Sequence, residues 1–173
     1  MVDSKEVGLA AAADITHLLG EVKPEKLLLV GPDSRNLAAN YLGENHLCKY
    51  DEIKDGDYLD LLAGLGKFSA AIVAGVVECL EKHQAEILLS RIRDLHASRF
   101  WLLVPMGTEW DNNESIWSPN DLIAFGMVRV NAYAARAGEW HLYQYDLLTY
   151  KTTPEWYSNK YWANPAMWDK KWW

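Results

Sequence analysis

Three runs of apolar residues, each ending near a turn residue, dominate the hydrophobic pattern along this chain. They lie at 26–31 (KLLLVG), 70–77 (AAIVAGVV) and 99–105 (RFWLLVP). Continuous apolar runs of this length are typical of strands that are covered on both faces of a sheet. Helices are predicted over about 3–19, 34–42 (ended by Gly43), 58–65 and 81–96, and a short strand over 46–51. Strands that alternate with helices predict a parallel sheet with right-handed crossovers.

The pattern changes after Pro105. The segment 118–121 (SPND) places a capping serine, a proline and an acid in the order typical of a helix start, so a short helix is expected there. Apolar positions recur over 128–132 and 140–145 with Gly138 between them, which predicts an antiparallel hairpin. The whole pattern therefore predicts an α/β fold of three layers, with a mostly parallel sheet that an antiparallel C-terminal hairpin closes.

The chain ends in an aromatic segment with no regular hydrophobic period. Residues 151–173 contain five of the nine tryptophans, and each tryptophan can bury on the order of 200 Å². We expect residues 1–150 to form one α/β domain and this Trp-rich extension to pack on the same domain. Two alternatives stay open for the extension, namely a surface for a homodimer or protein partner, and a stacking site for a ligand.

Composition narrows the classes of function. The 173 residues are half hydrophobic and carry a net charge of −7, which suits one packed domain and argues against a nucleic-acid-binding surface. No apolar run approaches the roughly 20 residues of a membrane helix, and the N-terminus does not read as a secretory signal. Cys48 and Cys79 do not make a disulfide framework. We therefore expect a cytoplasmic protein that binds neither nucleic acid nor membrane.

The turn after the first apolar strand is the best candidate for a ligand loop. Gly31 stands where the backbone must turn, and a predicted helix follows at once. A glycine-rich loop would place small residues at the next two alternate positions, so that ligand and backbone approach closely, but here they are Asp33 and Arg35. Asp33 or Ser34 is alternatively the N-cap of the following helix.

The order of elements over roughly 20–148, with several local motifs, resembles the class I S-adenosylmethionine-dependent methyltransferases. The matching segments are LLLVGPDS at 27–34, LCKYD at 47–51, FSAAIV at 68–73, VVECLEK at 76–82 and RFWLLVP at 99–105. The resemblance implies a Rossmann-like methyltransferase fold with S-adenosylmethionine as the candidate cofactor. It implies cofactor-binding roles for Gly31, Asp33, Ser34 and Glu78, and for Asp51 as the acid that binds the ribose hydroxyls.

The position of Asp51 agrees with that role in one respect. It lies 20 residues after Gly31, about the separation at which a carboxylate on the adjoining strand meets a ribose bound at the first loop. The alternative is a solvated acid, because Asp51 belongs to the charged run KYDEIKDGD.

Four departures from the family lie on the ligand side of the predicted sheet. The alternate glycines are missing, Ser69 stands where the family often has aspartate, and Cys79 stands where it often has histidine. Gly56-Asp57 imitates the family's adenine-contacting acid but follows Asp51 by only six residues, whereas a parallel crossover needs roughly a dozen or more. One helix-strand unit is therefore expected to be lost or severely shortened.

These departures favour a degenerate methyltransferase-like domain that lacks robust methyl transfer and acts as a binding or interaction module for a small molecule or a protein. The alternative is an active S-adenosylmethionine-dependent methyltransferase of small molecules, with Gly31, Asp33, Asp51 and Glu78 around the cofactor. No catalytic residue can be named from the sequence. No metal is expected, because the histidines and cysteines show no ligand spacing.

Overall fold

The computed structural model of this chain describes residues 4–108, 110 and 113–150. The predicted Trp-rich extension, 151–173, lies outside the described residues. In chain order the described elements are α1 (Ser4–Val22), β1 (Lys26–Val30), α2 (Ser34–Glu44), β2 (Lys49–Ile53), α3 (Tyr58–Ala63), β3 (Ala70–Ala74), α4 (Lys82–Arg91), β4 (Arg99–Met106), α5 (Pro119–Ala124), β5 (Val128–Ala134), β6 (Glu139–Asp146) and α6 (Leu147–Tyr150).

The described strands form one mixed sheet in the order β2-β1-β3-β4-β6-β5. The first four of these are parallel to one another, and β6 joins β4 as the antiparallel strand of the predicted hairpin. The strand β2 is an edge strand, because the chain leaves it through α3 and returns as β3 on the other side of β1. Within the described residues no strand lies outside β2, which agrees with the helix-strand unit that the sequence predicts to be missing.

Apolar side chains cover both faces of the sheet and produce the predicted three layers. Every residue of β3 is buried, and every residue of β1 and β4 after the first, because these central strands alternate their side chains between two separate cores. One core lies between the sheet and α3, α4 and α5, and it contains Leu62, Leu88 and Leu122. The other lies under α1 and α2, and it contains Ile15 and Leu37.

Several element boundaries differ from the sequence prediction, among them those of α2, β2 and β3. Gly43 lies inside α2 and does not end it, since the left-handed turn by which a glycine often ends a helix does not occur there. The second strand is Lys49–Ile53 and not 46–51. The third is Ala70–Ala74 and ends before Gly75, whose φ of +74° turns the chain.

None of the described helices is both long and apolar enough to cross a membrane.

The helix α1 is fastened to the hairpin through one carboxylate. The Tyr133 hydroxyl donates a hydrogen bond of 2.5 Å to Asp14, and the Asn131 amide donates one of 2.8 Å to the same oxygen. Tyr133 is buried, and both burial and the Asp14 charge raise the pKa of its hydroxyl, so it stays a donor at all ordinary pH values. These bonds join the first element of the chain to the edge strand β5.

We expect Asp14→Ala to lower the free energy of unfolding by about 1–3 kcal/mol, because it leaves the buried Tyr133 hydroxyl without its carboxylate acceptor. Urea denaturation measures the loss. The control is the same substitution in a Tyr133→Phe background, where the cost must be clearly smaller. Equal costs in the two backgrounds would show that the Asp14–Tyr133 bond does not hold α1 in place.

Candidate functional site

The parallel strands end at one edge of the sheet, and the chain leaves β1 and β3 there in opposite directions. After β1 it enters α2, whose Leu37 and Ala38 pack in the core under α1. After β3 it enters α4, whose Ala85 and Leu88 pack in the core on the other face. Adjacent strands whose following helices lie on opposite faces form a topological switch point, and open α/β sheets bind ligands in the crevice at such a point.

The two loops at this switch point are in direct contact. Gly31 has a φ of +92°, and a Cβ at this position would collide with the carbonyl oxygen of Ala74 at the end of β3. A Cβ on Gly75 would in turn lie 2.6 Å from the Asp33 carboxylate and 3.2 Å from the ring of Pro32. Each loop therefore needs a glycine because the other loop occupies the space.

Asp33 and Ser34 start α2 in different ways. Asp33 occupies the N-cap position, but its side chain caps no backbone N–H, and its carboxylate has neither a hydrogen bond nor an ion pair among the described residues. Ser34 is buried, and its hydroxyl donates a hydrogen bond of 2.6 Å to the carbonyl oxygen of Gly31. The hydroxyl of Ser34 thus stabilises the loop, while the Asp33 carboxylate stays available in the crevice.

Glu78 lies in the short 3₁₀ helix Val77–Cys79 that follows β3. It is only 5% exposed, and its Oε2 has no hydrogen-bond partner within the part of the chain that the structure describes. Burial is the main cause that raises the pKa of its carboxyl from 4.5 to about 7, and the nearby Asp33 raises it further. A hydrogen bond from the backbone N–H of Glu78 itself acts in the opposite direction.

The turn that carries Glu78 is held rigidly by residues 113–118. The carbonyl oxygen of Glu78 accepts a hydrogen bond of 2.8 Å from the N–H of Glu114. The buried Ser115 hydroxyl donates to the carbonyl oxygen of Val77 at 2.7 Å and accepts from the Trp117 indole at 3.0 Å. The Lys82 ammonium lies 3.5 Å from the centre of the fully buried Trp117 ring. The position of this turn therefore depends on a second segment, which is more than thirty residues further along the chain.

Asp51 does not belong to this group of residues. It lies inside β2 in register with Leu28, three residues before the position of Gly31, and β2 continues to Ile53. Its carboxylate pairs with the Lys26 ammonium at 2.8 Å. The strand boundary predicted from the sequence was wrong by two residues, so Asp51 lies away from the carboxyl edge where Gly31, Asp33 and Glu78 lie together.

Asp57, the acid of the Gly56-Asp57 pair, has a structural role at the start of α3. Its carboxylate accepts hydrogen bonds from the backbone N–H groups of Leu59 and Asp60 at 3.1 and 3.2 Å, so it is the N-cap of α3. A small cavity of about 250 Å³ lies beside it.

A larger cavity opens on the α1 side of the same edge. Its volume is about 470 Å³, within the range of roughly 300–1,000 Å³ that is usual for small-molecule sites. Its polar wall is Asp33 and Asn36 at the start of α2, and the rest is largely apolar: Val7, Gly8, Leu9, Ala12, Leu37, Leu103 and Trp140. Sequence reasoning missed the contributions of α1 and Trp140, because no sequence signal indicated where α1 packs.

The sequence matches a family of unknown function, DUF6231, over residues 10–173. This chain belongs to the DUF6231 family. A comparison of the DUF6231 chain with curated proteins found no match.

Several solved structures are similar to the DUF6231 chain. The N-terminal domain of EvdMO1, solved in the presence of SAH and D-fucose, is 11% identical, with a TM-score of 0.52 over 79% of this chain and 82% of that one. The magnesium protoporphyrin IX methyltransferase ChlM from Synechocystis PCC 6803, solved with bound SAH, is 13% identical, with a TM-score of 0.51 over 83% and 87%. The pyocyanin biosynthetic protein PhzM is 12% identical, with a TM-score of 0.55 over 81% and 55%. The predicted methyltransferase-like fold is confirmed.

Gly31→Ala tests the contact between the two loops. We expect it to lower the free energy of unfolding by more than about 2 kcal/mol, because the new methyl group meets the Ala74 carbonyl and the backbone has a positive φ. The matched control is Gly43→Ala inside α2, where a Cβ meets nothing within 4 Å and should stabilise the helix by up to about 1 kcal/mol. Chemical denaturation of both variants gives the comparison, and a Gly31→Ala variant as stable as wild type would contradict the described contact.

The raised pKa of Glu78 predicts that the free energy of unfolding depends on pH. The folded protein keeps this proton up to about pH 7, whereas the unfolded chain releases it near its ordinary pKa of 4.5. The unfolded state therefore binds fewer protons in this window, so the free energy of unfolding falls as the pH rises. At about 1.4 kcal/mol per pH unit, the loss is on the order of 3 kcal/mol.

The measurement compares wild type with Glu78→Gln by urea denaturation at pH 5 and at pH 8. We expect the variant to gain stability relative to wild type at pH 8, because only the wild type then holds an ionised buried carboxylate. Electrostatic interactions also link Glu78 with Asp33, Tyr58 and Cys79. These three residues are present in both proteins. The same difference between the two proteins at both pH values would contradict the prediction.

Proposed function

We propose that this chain is a methyltransferase-like domain that lacks robust methyl transfer and acts as a binding module for a small molecule. The observation that carries the proposal is the contact between the Asp33 carboxylate and Gly75. Because ligands of such sheets bind at the switch point, the side chain that fills the crevice there stands in the space of the family's cofactor. Glycine at the position of Asp33 would leave that space open.

Two further features argue against a fit of S-adenosylmethionine. The ribose acid that the resemblance implies, Asp51, is bound to Lys26 on a part of β2 away from the edge. The candidate adenine acid, Asp57, caps α3, and in the described residues no strand beyond β2 supplies a further wall. The nucleoside half of the cofactor therefore lacks the carboxylate and the wall that would hold it.

The alternative is an active methyltransferase of small molecules. The cavity of about 470 Å³ beside Asp33 favours it, since a free carboxylate could pair with the ammonium group of the cofactor's methionine end. Asp33 and Glu78 would then lie beside the cofactor, and the rate would come from alignment of a nucleophile with the sulfonium methyl. Within the described residues no cluster of metal-binding side chains is present.

A cytoplasmic location is part of the proposal. It is supported by the two free cysteines, of which Cys79 is exposed and Cys48 is partly exposed, because reduced thiols are usual in the cytoplasm. A homodimer through residues 151–173 stays a prediction, since that extension lies outside the described residues.

Isothermal titration with S-adenosylmethionine and with S-adenosylhomocysteine tests the proposal. We expect no micromolar binding to the wild-type protein and no rise in its melting temperature. The informative variant is Asp33→Gly, which removes the side chain from the crevice and should increase any residual affinity for either compound. Micromolar binding to the wild type, with transfer of a labelled methyl group to any acceptor, would favour the active methyltransferase instead.

A further inference from the structure

A groove of about 400 Å³ lies at the corner of the sheet that is furthest from the switch point. Its walls come from α5, β5, β6 and α6, and they include Ile123, Val128, Val130, Gln144, Asp146 and Thr149. Asp146 pairs with Arg99, the first residue of β4, so the groove lies at the amino-terminal end of the parallel strands. It is therefore a separate surface from the candidate site at the carboxyl edge, and it does not depend on the proposed function.

Exposed apolar side chains cluster around this groove. Ile123, Val128 and Leu148 are 61%, 70% and 82% exposed, and Val130 and Leu147 are exposed as well. Single apolar residues on a surface are common, but several in one place usually mark a surface of interaction. This corner of the sheet therefore lacks a covering layer among the described residues.

The groove runs beside β5, which is the edge strand of the described sheet. A further strand fits poorly at this edge, because the pairing of β5 with β6 shifts register between Arg129 and Asn131, and such a bulge leaves Val130 out of the regular ladder. The Asn131 side chain also accepts a hydrogen bond of 2.9 Å from the N–H of Ala132. Because bulges protect edge strands from pairing with another chain, we expect side chains and not a strand to cover this edge.

The segment 151–173 of the same chain has the composition and the position to cover the groove. Thr149 lines the groove, so only Tyr150 separates its wall from the first residue of the segment. The segment contains five tryptophans, each with on the order of 200 Å² to bury. It carries four lysines against two acids, whereas the rest of the chain is strongly acidic. The opposite charges and the short tether both favour contact within one chain.

From these features we propose that the tryptophan side chains of 156–173 fill this groove and cover the apolar residues at its rim, so that the C-terminal extension closes the free edge of the sheet. This placement gives the extension a defined role. It removes an apolar patch and an edge strand from contact with water, and it thereby prevents association with other copies of the chain. A second copy as the occupant of the groove predicts a dimer instead.

A photo-cross-linking amino acid, p-benzoylphenylalanine, at the position of Val128 in the full chain tests the contact. We expect the irradiated product to remain a monomer, and mass spectrometry of its peptides to find residue 128 joined to 156–173. The matched control places the same amino acid at Leu47, which is 95% exposed and comes just before the opposite edge strand β2, and it should give no such product. A dimeric product, equal yields from the two positions, or no cross-link from residue 128 to 156–173 would overturn the proposal.

A charge in the groove tests the same contact through stability. Val128→Asp places a carboxylate where the tryptophans are proposed to pack, and burial of an unpaired charge is unfavourable. We expect the melting temperature of the full chain to fall by about 4 °C or more and the tryptophan emission to move to longer wavelength. Far-ultraviolet circular dichroism should keep its wild-type shape, because Val128 belongs to neither core.

The control for this variant is Ala132→Asp, which adds the same charge at an exposed position of the same strand, outside the lining of the groove. It should change neither the melting temperature nor the emission. Light scattering after size-exclusion chromatography should find a monomeric wild type. A Val128→Asp variant that behaves like Ala132→Asp, or a dimeric wild type that Val128→Asp dissociates, would overturn the proposal.

Discussion

The close contact between the loops that follow β1 and β3 is the constraint on which the rest of this structure depends. With Gly31 against the Ala74 carbonyl, and with the side chains of Pro32 and Asp33 against Gly75, the ends of two adjacent buried strands are fixed relative to each other. The same contact sets the start of α2 and the position of the turn that carries Glu78. The two loops thus meet at the centre of the edge where open α/β sheets bind their ligands.

This constraint divides the edge into parts with different chemistry. On the α1 side it leaves a mainly apolar cavity with Asp33 at its wall. On the opposite side it leaves the buried carboxyl of Glu78, in a turn whose backbone is hydrogen-bonded to Glu114 and Ser115. Burial of an acid without a partner is unfavourable. Hydrogen bonds to the backbone carbonyl groups of Val77 and Glu78 hold the turn in which this acid is buried. Such a group is typical of a functional site, although structural burial produces the same raised pKa.

The likeness to methyltransferases concerns the fold, since the three solved structures named above are only 11–13% identical to this chain. The strands β1, β3 and β4 are almost wholly apolar and buried, and this core is what the shared fold requires. A shared fold does not by itself imply a shared cofactor, because core and site depend on different side chains.

The sequence by itself determined the buried strands, the alternation with helices, the closing hairpin and the absence, in the part of the chain that the structure describes, of a strand beyond β2. Those features follow from local patterns, namely apolar runs, helix-start residues and a connection of six residues that is too short for a crossover. The sequence pattern also predicted that Gly31, Asp33 and Glu78 lie at one edge of the sheet, because they come shortly after neighbouring parallel strands. Only the tertiary structure decided that Asp51 pairs with Lys26, that the Asp33 carboxylate lies against Gly75 and that α1 and Trp140 complete a cavity. Each of these depends on the register of strands or on contacts between residues far apart in the chain, and a shift of two residues along a strand moves a side chain by roughly 7 Å without changing the apolar pattern from which the strand was predicted.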